Sequence, residues 1–269
     1  MSVTALLFDS HCHLDDTRFD DDRDELIAGL PDQGVFACLS CGSDVTTSKA
    51  SLTLAERWPF IWAAAGIHPH EASKAEEEDF LEIEKLLNAR KVRALGEIGL
   101  DFHYDFSPRM TQERVLLRQL DMAYKKNLPV VLHVREAHGA MLDILGSRAG
   151  KLPKGVLHCF SGSAESAVEY QRLGFYISFA GSVTFKNAGK LRLAAQAVQA
   201  DRLLIETDSP YLAPEPFRGK RNDPSKVREV CRVLAELLGV SCAAMAELTL
   251  KNACNLFDIP IPAGSQSLV

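Results

Sequence analysis

Two histidines, His11 and His13, stand one residue apart in Phe8-Asp9-Ser10-His11-Cys12-His13-Leu14-Asp15, directly behind the apolar run Ala5-Leu6-Leu7-Phe8. That run reads as a buried strand. Successive side chains on a strand point to opposite faces, so the two imidazoles project to one side, about 7 Å apart along the backbone. Two ring nitrogens aimed at one point suit a metal ion. A pair of polar histidines at a strand end is the plain alternative. Asp9 shares their face and is expected to fix the tautomer of an imidazole from behind.

Donors of the same kind recur along the chain: Glu97 in Leu95-Gly96-Glu97-Ile98-Gly99-Leu100-Asp101, His133 in Val131-Leu132-His133-Val134-Arg135, His158 in Val156-Leu157-His158-Cys159-Phe160 and Asp208 in Leu204-Ile205-Glu206-Thr207-Asp208-Ser209-Pro210. Taken singly, each histidine reads as a core or surface residue and each carboxylate as a helix cap or a solvated group. What gives them joint meaning is the order of the elements that would carry them.

Eight apolar segments read as strands: 5–8, 35–40, 61–66, 92–96, 129–132, 155–157, 175–179 and 203–205. Helical patterns fall between them, at 21–30, 45–57, 75–88, 111–126, 136–146, 164–173, 187–198 and 223–238, with an extra helix at 241–257. In the third, Phe80, Ile83 and Leu87 recur at helical spacing and Ser73-x-x-Glu76 reads as a capping box. Eight strands, each followed by a helix, predict an α/β fold: a distorted TIM (β/α)8 barrel, one domain over residues 1–258, with an added C-terminal helix. A tail from 259 to 269, rich in Pro, Gly and Ser, is expected to be loose.

In such a barrel the working site gathers at the C-terminal ends of the strands. His11, His13, Glu97, His133, His158 and Asp208 all fall at those ends, on five different strands, so the six are expected to meet on one rim. Four imidazoles and two carboxylates suit zinc, manganese, magnesium, nickel or a similar divalent ion better than a thiolate-seeking one. The set exceeds the three protein ligands that one catalytic ion usually takes, and two ions with Glu97 between them would use it fully. Such a pair acidifies a water for hydrolysis.

Composition agrees with an ordinary soluble globular protein: 46% hydrophobic and 25% charged residues. The formal charge of -6 does not suggest a protein that coats long duplex DNA, but leaves room for a strand held end-on at a metal centre. No run of eighteen apolar residues and no signal-peptide pattern is present, so the chain reads as cytoplasmic, without a membrane span. Seven scattered cysteines read as reduced thiols. Cys38 and Cys41 read as packing residues, and Cys12 and Cys159 are expected to point away from the site.

The segments FDSHCHLDD, GIHPH, GEIGLDFHYD, PVVLHVREAH, HCFSGS and LLIETDSPYLAP, with RGKRN beyond, resemble the TatD-type deoxyribonucleases of the metal-dependent hydrolase (amidohydrolase) superfamily. The resemblance spans the chain from the first strand to past the eighth. It implies one or two divalent metals and hydrolysis of DNA from a 3' end, with single-stranded or end-of-strand DNA as substrate and no obligatory protein partner. It also implies that His11, His13, Glu97, His133, His158 and Asp208 are metal ligands with Glu97 bridging, and that His68 and Arg135 face the substrate. The family often has an acidic residue two positions after Ala137, where Gly139 stands here.

On this reading Asp208 handles the proton of the attacking water, and Glu206, on the same strand face, either tunes it or is a salt-bridged residue of the barrel interior. The aromatic loop 102–106 is placed to stack a terminal base or to cover the barrel mouth, and Arg218-Gly219-Lys220-Arg221 to form a basic lip or a solvated loop. The same metal pair would polarise a carbonyl, so a deacylase, amidase or lactonase is the alternative activity. A non-catalytic, metal-stabilised interaction protein is the third.

Overall fold

The computed structural model describes residues 5–261. Eight parallel strands lie in chain order in one sheet: β1 (Leu7–Cys12), β2 (Val35–Cys41), β3 (Ile61–Ala65), β4 (Val92–Asp101), β5 (Val130–Arg135), β6 (Gly155–Leu157), β7 (Tyr176–Phe179) and β8 (Leu203–Ile205). Helices α1 (Arg23–Gly29), α2 (Val45–Arg57), α3 (Glu77–Leu86), α4 (Arg109–Lys126), α5 (His138–Ser147), α6 (Ala164–Arg172), α7 (Gly189–Gln196) and α8 (Val227–Leu238) follow the strands in turn, and α9 (Cys242–Phe257) is added at the end. This is a distorted TIM barrel. The segment beyond β8 closes it: Asp208 N–H donates to the His11 carbonyl at 3.0 Å, and His13 N–H to that of Ser209 at 2.7 Å.

Two apolar layers hold the barrel. The larger joins the strands to the helices around them, through residues such as Cys38, Ile61, Leu132, Leu116 and Leu234. The smaller brings Phe8, Leu39, Ala94, Val131 and Leu204 against Leu250, Leu256 and Phe257 of α9. Phe257 stacks on Phe8 with ring centroids 6.0 Å apart. The added helix therefore packs on strand residues that lie before the metal-capable ones in the chain. Ile259 is buried in the same cluster and its N–H reaches the Cys254 carbonyl at 3.0 Å, so the loose tail does not begin there. The rest of that tail, 262–269, lies outside the described residues.

Helix starts follow local hydrogen bonding. Asp44 caps α2 by accepting from Thr47 N–H at 2.7 Å. For α3 the expected Ser73–Glu76 box is absent. Glu76 N–H donates to Asp79 Oδ2 at 2.9 Å and the helix starts at Glu77, while Ser73 N–H is taken by Ser107 Oγ at 2.9 Å.

The strand that matters most for the site is also the one that departs furthest from its expected length. β4 does not stop at Gly96 but continues to Asp101, after a register shift between Leu95 and Ile98. Glu97 therefore sits in a strand irregularity, not at a strand end. Such an irregularity re-aims a side chain. Gly99, at φ 149°, lets β4 close on β5: a Cβ there would lie 1.9 Å from the His133 carbonyl oxygen.

Candidate metal centre

The six donors meet in the barrel mouth, five of them divided between the two oxygens of the sixth, Glu97. Oε2 lies 3.3 Å from His11 Nε2 and 3.6 Å from His13 Nε2, and Asp208 Oδ1 completes this half at 3.7 and 3.5 Å from the same nitrogens. The two nitrogens are 3.1 Å apart. Oε1 faces the other half: His158 Nε2 at 2.8 Å and His133 Nδ1 at 2.9 Å, themselves separated by 3.2 Å. Four ligands around a tetrahedral ion with bonds of about 2.0–2.1 Å have mutual separations of about 3.3 Å. The donor set fits a divalent ion in size as well as in chemistry, and Glu97 is placed to touch one in each half.

Outer contacts fix which nitrogen each ring offers. His13 Nδ1 donates to the Cys41 carbonyl at 2.9 Å, which turns Nε2 toward Glu97. His133 is held the other way round, with Nε2 at 3.2 Å from Asp101 Oδ2 and Nδ1 inward. Glu206 Oε1 stands 3.4 Å behind His158 Nδ1. His68 also reaches Glu97 Oε1, at 3.3 Å, but its Nδ1 accepts the His70 N–H. The neutral ring therefore carries its proton on Nε2 and presents a donor, not a lone pair.

The charges follow from burial and crowding. Burial opposes ionisation of Glu97, yet His158, His68 and His11 hold its carboxyl well below the usual carboxylate range. Burial also works against a charged His13, but Asp208 and Glu97 outweigh it and raise the ring to about 9. His68 goes the other way, down to about 4, because burial dominates. Burial and the neighbouring His158 also push His11 down, so the centre favours positive charge at His13, His133 and His158 but not at His11 or His68.

A family model described as TatD related DNase matches residues 8–258. The chain belongs to that family. It is similar to the uncharacterized metal-dependent hydrolase YabD of Bacillus subtilis (strain 168), 42% identical over 94% of this chain and 100% of that one. It is also similar to the 3'-5' ssDNA/RNA exonuclease TatD of Cronobacter sakazakii, 37% identical over 93% of this chain and 97% of that one. Among solved structures it resembles YJJV, a TatD homologue from Escherichia coli K12, with a TM-score of 0.88 and 32% identity over 94% of this chain and 98% of that one.

Around the centre of this TatD-family chain opens a cavity of about 900 Å³. His68 and Arg135, read from the sequence as facing the substrate, both line it. The Arg135 guanidinium lies 4.6 Å from the centroid of Tyr104, which stacks on Phe106 at 5.2 Å. The aromatic loop thus borders the mouth, with Phe106 65% exposed. The basic segment contributes nothing to the cavity lining. Arg218 covers Phe185, and Arg221 is paired with Asp22 at 2.6 Å.

Three expectations based on strand alternation fail, one beside a register shift in β1 and two past the ends of β6 and β8. Asp9 does not back an imidazole; its oxygens accept from Thr207 N–H at 2.8 Å and Oγ1 at 2.6 Å, tying β1 to the segment after β8. Glu206 does not face Asp208; it accepts the Cys159 N–H at 2.6 Å beside His158. Cys159 does not point away but lines the cavity, because its backbone turns to φ 43° after β6. Cys12, Cys38 and Cys41 are buried as expected. Asp9, Cys12 and Cys38 also bring donor atoms together, but Asp9 is committed to Thr207 and burial pushes both thiols up.

Two residues of the site went unnoticed in the sequence. Asp101 Oδ2 bridges His133 and His70, the latter at 2.8 Å, and both line the cavity. Asp101 stands four residues after Glu97, a spacing that preserves strand parity. His70 is the second histidine of the quoted GIHPH segment.

Proposed function

We propose that this chain is a divalent-metal-dependent phosphodiesterase that trims single-stranded DNA from its 3' end, acting as one hydrolase unit over residues 1–258. The observation that carries the reading is the division of His11, His13, Asp208, His133 and His158 between the two oxygens of Glu97. A bound pair of divalent ions supplies Lewis acidity toward a phosphate oxygen and lowers the pKa of water.

The chain's own residues do the rest. Glu97 and Asp208 bring negative charge to the centre, and Asp208, kept ionised by His13 and His11 despite its burial, takes the proton of the attacking water. His68 stays neutral at pH 7 and offers its Nε2–H across the same space. Arg135 has no carboxylate partner among the described residues, and Tyr104 fixes its plane. A guanidinium so held matches a phosphate of the strand. As the water oxygen bonds to phosphorus, the P–O bond to the 3' oxygen of the remaining strand breaks, that oxygen takes up a proton, and the terminal nucleotide leaves with the phosphate. No single helix among the described residues is long and apolar enough to cross a membrane. Seven free thiols fit a reducing, cytoplasmic setting.

The test is to remove metal, restore zinc, manganese, magnesium or nickel one at a time, and follow single-stranded DNA, RNA and a panel of esters and amides. Metal-dependent shortening of DNA from the 3' end supports the reading. Turnover of acyl substrates alone would replace it with a deacylase or amidase.

A further inference from the structure

We propose that Tyr211 and Leu212 form a shelf on which one nucleobase of the bound strand stacks. This rests on the nuclease reading and names how the same site grips its substrate. Both residues line the cavity although both are large, apolar and open to solvent, Tyr211 at 47% and Leu212 at 37% exposure. They lie three and four residues after Asp208: Tyr211 N–H donates to the Asp208 carbonyl at 2.9 Å, and the tyrosine ring lies 6.0 Å from that of His13. The shelf is on the β8 and β1 side of the barrel, across from Arg135 and Tyr104 on the β4 and β5 side. The donor cluster lies between the two.

The shelf is built rigidly. Asn222, fully buried, donates through Nδ2 to the Tyr211 carbonyl at 2.7 Å and to that of Thr207 at 2.9 Å. Gly181 closes on it from behind, where a Cβ would lie 2.0 Å from the Leu212 carbonyl oxygen. Leu212 is held at φ 49°, the left-handed region, which costs a branched side chain energy and is found where ligands are clamped. The Arg18 guanidinium covers one side of the Tyr211 ring at 4.1 Å, and Asp16 binds that guanidinium at 2.9 and 2.8 Å, so Arg18 is not free to take a phosphate.

The occupant follows from what surrounds the shelf. Asp15 and Asp16 line the cavity beside the shelf, and the nearby Arg18 is taken by Asp16, so among the described residues this wall offers a second phosphate no free cation. A strand whose phosphate lies at the centre is left with its base as the handle there, and a base presents the flat apolar face that an exposed tyrosine and leucine accept.

The test uses the metal-loaded protein and three single-stranded DNA oligonucleotides: one intact, one abasic at the 3'-terminal nucleotide and one abasic at the next. Wild type loses about tenfold in kcat/KM on one of the two abasic strands, the scale of a single base–aromatic stack. Tyr211→Ala loses about the same factor on the intact strand and nothing further on that abasic strand, while Tyr211→Phe behaves as wild type. Leu212→Gly gives a second readout, because it relieves the left-handed strain: it melts no lower than wild type yet trims intact DNA more slowly. Equal losses for Tyr211→Ala on all three strands, or no loss on any, would overturn the shelf and leave the nuclease standing. No trimming of any strand by wild type would overturn both.

Discussion

Asp101 Oδ2 lies 3.2 Å from His133 Nε2, on the side of the ring that faces away from Glu97. The carboxylate is fully buried and also receives the backbone N–H groups of His103 and Tyr104, at 3.0 and 2.9 Å, so its position is set by the chain rather than by solvent. It fixes the ring with Nδ1 inward. Asp101→Asn keeps the shape and removes the charge. The expected outcome is a loss of about 10- to 100-fold in metal affinity, measured by competition with a chelator. An unchanged affinity would make Asp101 a loop anchor only.

Asp208 belongs to the half of the centre built by His11 and His13, with Oδ1 3.7 and 3.5 Å from their Nε2 atoms. Asp208→Asn is expected to lower kcat on single-stranded DNA by about 10²- to 10⁴-fold while the protein still takes up metal. A variant that is inactive because it binds no metal would show a ligand role alone. Metal content measured on the same sample separates the two.

Protons and metal compete for the inward nitrogens. With His13 at about 9 in the metal-free chain, that ring is charged at pH 7, and an ion must displace its proton. Metal affinity should therefore climb as pH rises toward 9, by about tenfold per pH unit for each proton displaced. Titration calorimetry in buffers of different ionisation enthalpy counts the protons released. Affinity independent of pH below 9 would contradict the charge assignment.

His138 lies outside the centre, with Nδ1 at 3.1 Å from the Tyr170 hydroxyl, and burial lowers it from 6.5 to about 4. A base with a depressed folded pKa keeps the fold at full strength above 6.5. Below that the unfolded chain takes up the proton first, so stability falls between pH 6.5 and 4. For a ring partly open to solvent the effect is about 2 kcal/mol. His138→Asn should flatten this part of the pH dependence of metal-free melting relative to wild type. Parallel curves for the two proteins would exclude it.

The eight strands and nine α-helices of the described residues were legible because each carries an apolar run or a 3.6-residue pattern. The six donors were legible because most follow such a run directly. What the sequence hid begins where strand periodicity stops. Asp9, Glu206 and Cys159 lie at register shifts or past strand ends, and there alternation no longer says which way a side chain points. Asp101 was hidden for the opposite reason: β4 runs five residues longer than its apolar core suggests, carrying Glu97 and Asp101 on one continuous strand. The Tyr211 shelf depends on a turn at Leu212 and on Asn222, eleven residues later, a contact that no local pattern announces.

The most direct measurement is an anomalous difference map from crystals grown with manganese. Two peaks about 3.5 to 4 Å apart are predicted. One should lie among His11, His13 and Asp208, the other between His133 and His158, with Glu97 touching both. Ions bound elsewhere on the chain, with these six side chains left uncoordinated, would contradict the account.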